Sequence, residues 1–158
     1  MKKFLLIFLL QINLAHSIEA VCDFEEVYSN SQTQQGLFIL KNEKLRYEYF
    51  DKKLFTIIAK NEKFYLINQT HKNNVSKIDK NTEILEILLS IASEYPDLKS
   101  SYNYSNIKII IEKSSNNFIK RVSINSEDVN VSINLMNCKF ESINDKYFNH
   151  FNFEKFVR

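Results

Sequence analysis

Glycine and proline are nearly missing from this chain, with one of each in 158 residues. A Gly-rich phosphate loop is therefore excluded, since such a loop needs several glycines to bring backbone N–H groups onto a phosphate. Turns must be made some other way. Asparagine, abundant here, tolerates left-handed backbone and takes the place of glycine in many of them. Histidine is scarce as well, at positions 16, 71 and 150 only. The first falls in an N-terminal leader and the others in polar surroundings. No metal-ligand spacing, Ser-His-Asp or Cys-His pattern can be assembled from them. No catalytic residue, metal ligand or cofactor is expected, and the chain is not read as an enzyme. A large excess of either charge is lacking too, with 21 Lys and Arg against 19 Asp and Glu.

The leader carries Met1-Lys2-Lys3, an apolar run from Phe4 to Leu10, and a small-x-small cleavage site at Ala15-His16-Ser17. The run is too short to anchor in a bilayer. An apolar first helix of the domain is the alternative. Cleavage after Ser17 removes Lys2 and Lys3 and no acid, so 21 basic residues become 19, against 19 acidic. A neutral mature domain lacks the basic field that nucleic acid requires. The expected organisation is a signal peptide over 1–17, then one domain over 18–158, exported to the periplasm. With 44% apolar residues, that domain is large enough to bury a core.

Cys22 and Cys138 are the only cysteines. In an oxidising compartment they form a bridge, or they are two small buried apolar residues. Glu19-Ala20-Val21 before Cys22 lacks the pattern of a lipoprotein signal. Asn-x-Ser/Thr sites at Asn68, Asn74, Asn103 and Asn130 are expected by chance in so Asn-rich a chain. Glu25-Glu26, and Glu48 with Asp51, read as a solvated face and not as an acid/base pair.

Gly36 to Asn68 is the most regular stretch and reads as four short strands. A turn between Leu40 and Leu45 sets Phe38 opposite Tyr47. Alternation sends Leu45, Tyr47 and Tyr49 to one face and Arg46 and Glu48 to the other, with Arg46 paired at the surface to Glu48 or to a strand neighbour. Phe24 to Tyr28 reads as a first strand and Gln69 to Asp79 as a polar loop. Thr82 caps a helix from Glu83 to about Ser93, whose Ile and Leu residues cover more than half its circumference. Strands resume at Ile107 to Glu112, Ile119 to Asn125, Val129 to Met136 and Lys139 to Ile143, before a Phe-dense tail. The expected class is α+β, a half-open antiparallel β-barrel (a strongly curved sheet) with helices capping its concave apolar face.

From Phe24 to Phe148 the order of these features resembles the periplasmic outer-membrane lipoprotein carriers, the LolA-like family. The resemblance rests on Phe24, the polar turn Ser29 to Gln35, Gly36, and Phe38-Ile39-Leu40. It continues through Leu45-Arg46-Tyr47-Glu48-Tyr49, the Leu-rich helix from Thr82, Val131 to Asn137, and the close at Ile143, Asp145 and Phe148. Asn61 stands where the family has Gly, and Ile67 where it has Tyr. Only Ile18 to Asp23 precedes Phe24, where the family has a helix.

This resemblance implies a monomeric carrier that shelters acyl chains of lipoproteins between inner and outer membranes. Phe38, Leu40, Leu45, Tyr47 and Tyr49 would line its acyl-chain cavity, with Leu85, Leu88 and Leu89 facing them from a lid. Its partners would be acylated outer-membrane lipoproteins, an inner-membrane lipoprotein-releasing ABC transporter and an outer-membrane receptor. A non-transport module that binds or senses lipids or lipoproteins in the envelope is the alternative.

Overall fold

Side chains that alternate with period two can build a sheet with two distinct faces. The computed structural model describes residues 18–61, 63–71, 75–78, 90–91, 94 and 97–150. Its strands are β1 (Glu19–Tyr28), β2 (Thr33–Lys41), β3 (Lys44–Tyr49), β4 (Phe55–Lys60) and β5 (Lys63–Asn68). They continue with β6 (Val75–Ile78), β7 (Ser101–Tyr104), β8 (Ile107–Lys113), β9 (Ile119–Asn125) and β10 (Asn130–Lys139). All ten join one antiparallel sheet in the order β6-β5-β4-β3-β2-β1-β10-β9-β8-β7. β1 to β6 form one meander and β7 to β10 another, joined where β10 pairs with β1. Each outer edge is a strand of four residues, a short template for unwanted pairing.

The α+β expectation is overturned. The described residues form a single open antiparallel sheet, and the α-helical positions among them are Ser90 and Ile91 alone, with Ile91 buried against the inner face. The reason lies in how the sheet covers itself. Ala20, Cys22, Phe24 and Leu40 of the first meander share one buried cluster with Ile109, Val122, Ile124, Ile133 and Leu135 of the second. The two halves of the sheet thus bury much of each other's apolar face. Ile91 and Leu98, in the segment joining β6 to β7, add to the same cluster. The leader 1–17 and the lid positions Leu85, Leu88 and Leu89 lie outside the described residues.

Several boundaries also change. β1 begins at Glu19, so the residues before Phe24 are strand and not a spacer. β6 falls inside Gln69 to Asp79, whose polar composition masks a short edge strand. β7 has no counterpart in the sequence reading. β10 runs on through Lys139, and the stretch after it, read as a strand to Ile143, has no regular structure. The turns behave as asparagine allows. Asn42, Asn61, Asn117 and Asn137 take positive φ of 53°, 51°, 62° and 51°. Asn42 and Asn61 open the two tight hairpins of the first meander, closed by the pairs Lys41↔Lys44 and Lys60↔Lys63.

Asn137 makes a bulge in β10. The register with β1 shifts between Val21↔Lys139 and Asp23↔Met136, and Asn137 Nδ2 donates to Asp23 Oδ2 at 3.0 Å. The bulge brings Cys138 onto the same face as Cys22, and the two are bridged with Cα atoms 4.1 Å apart. That disulfide ties the two central strands and thereby the two meanders.

The opposite face of the first meander is covered by the segment after β10. Val21, Leu37, Ile39, Ile58 and Ile67 pack with Ile143 and Phe148 in a second cluster. A 3-10 turn, Asp145–Phe148, is capped by the Asn144 side chain, which accepts from the Lys146 N–H. Polar contacts fix this segment in place. Lys41 Nζ donates to the Ile143 carbonyl at 2.6 Å, and Asp145 pairs with Lys41 at 3.2 Å and Lys44 at 3.0 Å.

Candidate functional site

The inner face of the sheet encloses a cavity of about 170 Å³. β1 to β4 contribute Glu26, Phe38, Leu45, Tyr47, Tyr49 and Ile57; β9 and β10 contribute Ile119, Val122, Ile124, Val131, Ile133 and Leu135. Neighbouring strands lie about 4.8 Å apart, so β4 and β9 of a flat sheet would be separated by roughly 24 Å. Sharing one cavity of this size requires the sheet to bend strongly.

Register places the wall. Phe38 pairs with Tyr47, Tyr47 with Ile57, and Leu40 with Leu45, all with side chains on the inner face. Phe38, Leu45, Tyr47 and Tyr49 therefore stand together around the cavity, as the alternation predicts. Leu40 shares their face but is wholly buried in the adjoining core. The lid leucines lie outside the described residues. The second meander supplies most of the remaining wall, which the sequence reading did not select, and Ile91, the last isoleucine of the expected helix, lines it as well. Its strands were legible, but nothing in a sequence says that β9 folds over β3.

Glu26 is the feature that sequence reasoning placed wrongly. It is 5% exposed and not part of a solvated face. Three phenols from two strands converge on it. Tyr28 Oη donates to Oε2 at 2.6 Å, and Tyr47 and Tyr49 Oη donate to Oε1 at 2.8 and 3.0 Å. Charge-assisted bonds of this kind offset the desolvation of a buried carboxylate. The phenols feel the arrangement in return. Burial, then the hydrogen bond to Glu26 and the Glu26 charge, push Tyr28 up to about 12. Burial followed by the Glu26 charge raises Tyr47 and Tyr49 further.

Phe24 supports the cluster from below. Its ring stacks on Tyr47 with centroids 3.9 Å apart and meets Tyr49 edge-on at 5.4 Å. The cavity opens beside this cluster. A cleft of about 430 Å³ is lined by Tyr28, Gln32, Gln34, Tyr49, Leu54, Phe55, Ile57 and Leu66. Tyr49 and Ile57 line both spaces, so this part of the wall, the neck of the site, borders cavity and cleft alike.

Arg46 lies on the other face, as alternation requires, but it is fully buried and not at the surface. Its Nε and Nη2 donate to Glu48 Oε2 at 3.0 and 2.6 Å, and Nη1 donates to the Tyr147 carbonyl at 2.9 Å. Burial outweighs the nearby Glu48 charge and lowers the guanidinium pKa. Both Arg46 and Glu48 belong to the clamp on the C-terminal segment, away from the cavity. Ile143, Asp145 and Phe148 serve that clamp as well.

Among the described residues, no group of three His, Cys, Asp or Glu side chains is placed to hold a metal ion. No helix among them is long and apolar enough to cross a membrane. What the site can do is accept an apolar group, with one carboxylate at its neck. No family model matches the chain, and no curated protein matches it.

Proposed function

We propose that this protein binds acyl chains on the inner face of its sheet and acts as an exported carrier of lipoproteins between membranes. One observation supports this reading most: an apolar cavity, lined from both meanders, with a second cleft bordering it at Tyr49 and Ile57. An acyl chain in water costs about 0.8 kcal/mol per CH₂ relative to burial, which is what such a site offsets. Lipoproteins are the proposed cargo because the order of motifs from Phe24 to Phe148 resembles their carriers. A releasing transporter in the inner membrane and a receptor at the outer membrane are the partners this role implies.

The cavity volume favours a second reading. An apolar cavity of about 150 Å³ takes up one benzene. The 170 Å³ here suits part of one acyl chain, with the cleft for the remainder. Binding or sensing of a singly acylated molecule fits this size better than carriage of three chains.

Calorimetric titration with a triacylated, a monoacylated and a deacylated lipopeptide separates the readings. The carrier reading expects binding of both acylated forms and none of the deacylated form. Val131→Trp, which fills the cavity from its wall, abolishes that binding in a folded protein. Binding of the monoacylated peptide alone supports the sensor. Equal binding of all three overturns both.

A further inference from the structure

A carboxylate in the wall of an apolar cavity carries a desolvation cost. Glu26 is nevertheless held there by tyrosines on two strands. An ionised carboxylate offers about four lone-pair positions. Among the described residues, Tyr47 and Tyr49 occupy both on Oε1, whereas Oε2 accepts from Tyr28. With respect to those residues one acceptor position remains on Oε2, on a residue that lines the cavity beside Tyr49. No Lys or Arg stands among the described residues lining either space. The neck thus presents negative charge and an open acceptor beside a path for an alkyl chain.

We infer that the neck selects amphiphiles whose head carries an N–H donor, an ammonium or amide group, and refuses those with a carboxylate head. This deepens the acyl-binding reading and rests on it. An N–H beside the chain bonds to Oε2, a charge-assisted bond in a site shielded from water. A carboxylate head would meet a like charge there, with no cation among the described lining residues to offset it, and that repulsion sets the selectivity. An amide-linked acyl chain carries such an N–H next to its first methylenes. A free fatty acid carries none. The cavity would then admit acylated amines and peptides while ignoring the fatty acids that accompany membranes.

The test is calorimetric titration of the full-length chain with octylammonium, N-octylacetamide and octanoate at neutral pH. The first two are expected to bind roughly tenfold tighter than octanoate, the size of one hydrogen bond to a charged group. Glu26→Gln keeps an acceptor for the phenols and removes the charge, so the octylammonium-to-octanoate preference collapses towards one. Tyr28→Phe frees a second position on Oε2 while keeping the charge, and octylammonium binding tightens severalfold. Equal binding of the three probes overturns the inference and leaves acyl binding standing. So does a preference that survives Glu26→Gln, or an unchanged octylammonium affinity in Tyr28→Phe. Binding of none of the probes overturns acyl binding itself, and the inference with it.

Discussion

The rings of Phe24 and Tyr47 stack 3.9 Å apart although their strands are not neighbours, and the chain's single glycine lies on the strand between them. Gly36 pairs with Phe24 on one side and with Tyr49 on the other. A Cβ at position 36 would lie 2.4 Å from Phe24 Cζ and 2.1 Å from the Glu48 carbonyl oxygen. The bare backbone is what lets an aromatic ring lie across β2 and hold the tyrosines beneath Glu26.

Gly36→Ala is therefore expected to destabilise the protein by about 2 kcal/mol, the cost of overpacking a filled interior. The aromatic near-ultraviolet dichroism should weaken along with it, because Phe24 must leave Tyr47. Urea unfolding checks the first effect and the dichroism spectrum the second. Unchanged stability would mean that the Phe24 ring is not held against Gly36.

The Arg46–Glu48 pair predicts an asymmetry. Arg46→Met leaves Glu48 buried with its partner gone and is expected to cost about 3–5 kcal/mol. Arg46→Met together with Glu48→Leu replaces both charges with apolar volume and should restore most of that loss. Unfolding curves of the two variants decide it. Equal destabilisation by both would show that the C-terminal segment depends on the Arg46 bond to the Tyr147 carbonyl, and not on charge pairing.

Reduction tests the bridge between the meanders. Cys22 and Cys138 are separated by 116 residues in sequence. A closed loop of that length restricts the unfolded chain by about 4–5 kcal/mol in the chain-entropy account. Unfolding of the Cys22→Ser/Cys138→Ser double variant should show a loss of that order. A loss below about 1 kcal/mol would place the stability in the β1–β10 ladder instead.

The phenol cluster predicts an alkaline limit. Tyr28 is raised to about 12, and Tyr47 and Tyr49 are raised as well. The folded state thus keeps protons that the unfolded chain releases near pH 10. Stability is complete below that pH and falls as pH rises through the folded values. A titration of tyrosinate absorbance should show these three phenols ionising only together with unfolding. Removing the charge by Glu26→Gln should move their ionisation to lower pH. Ionisation near pH 10 in a folded protein would break the link between Glu26 and the phenols.

By itself the sequence determined the local geometry of the first meander. Period-two alternation from Phe38 to Tyr49 fixed which side chains share a face, and hairpins opened by Asn42 and Asn61 fixed their register. Four of the cavity residues were legible for that reason. Alternation says nothing about what lies opposite a face, and there the reading failed. Glu26 and Glu48 looked solvated because local sequence gives charge without burial. Arg46 looked like a surface partner because its cover, the Ile143-to-Phe148 segment, is about a hundred residues away. The two meanders share one core and one cavity because β10 returned to pair with β1, a long-range pairing with no local signature. Which faces are apolar follows from neighbours along the chain. Which faces meet, and around which carboxylate, was decided only by strands that are distant in sequence and adjacent in space.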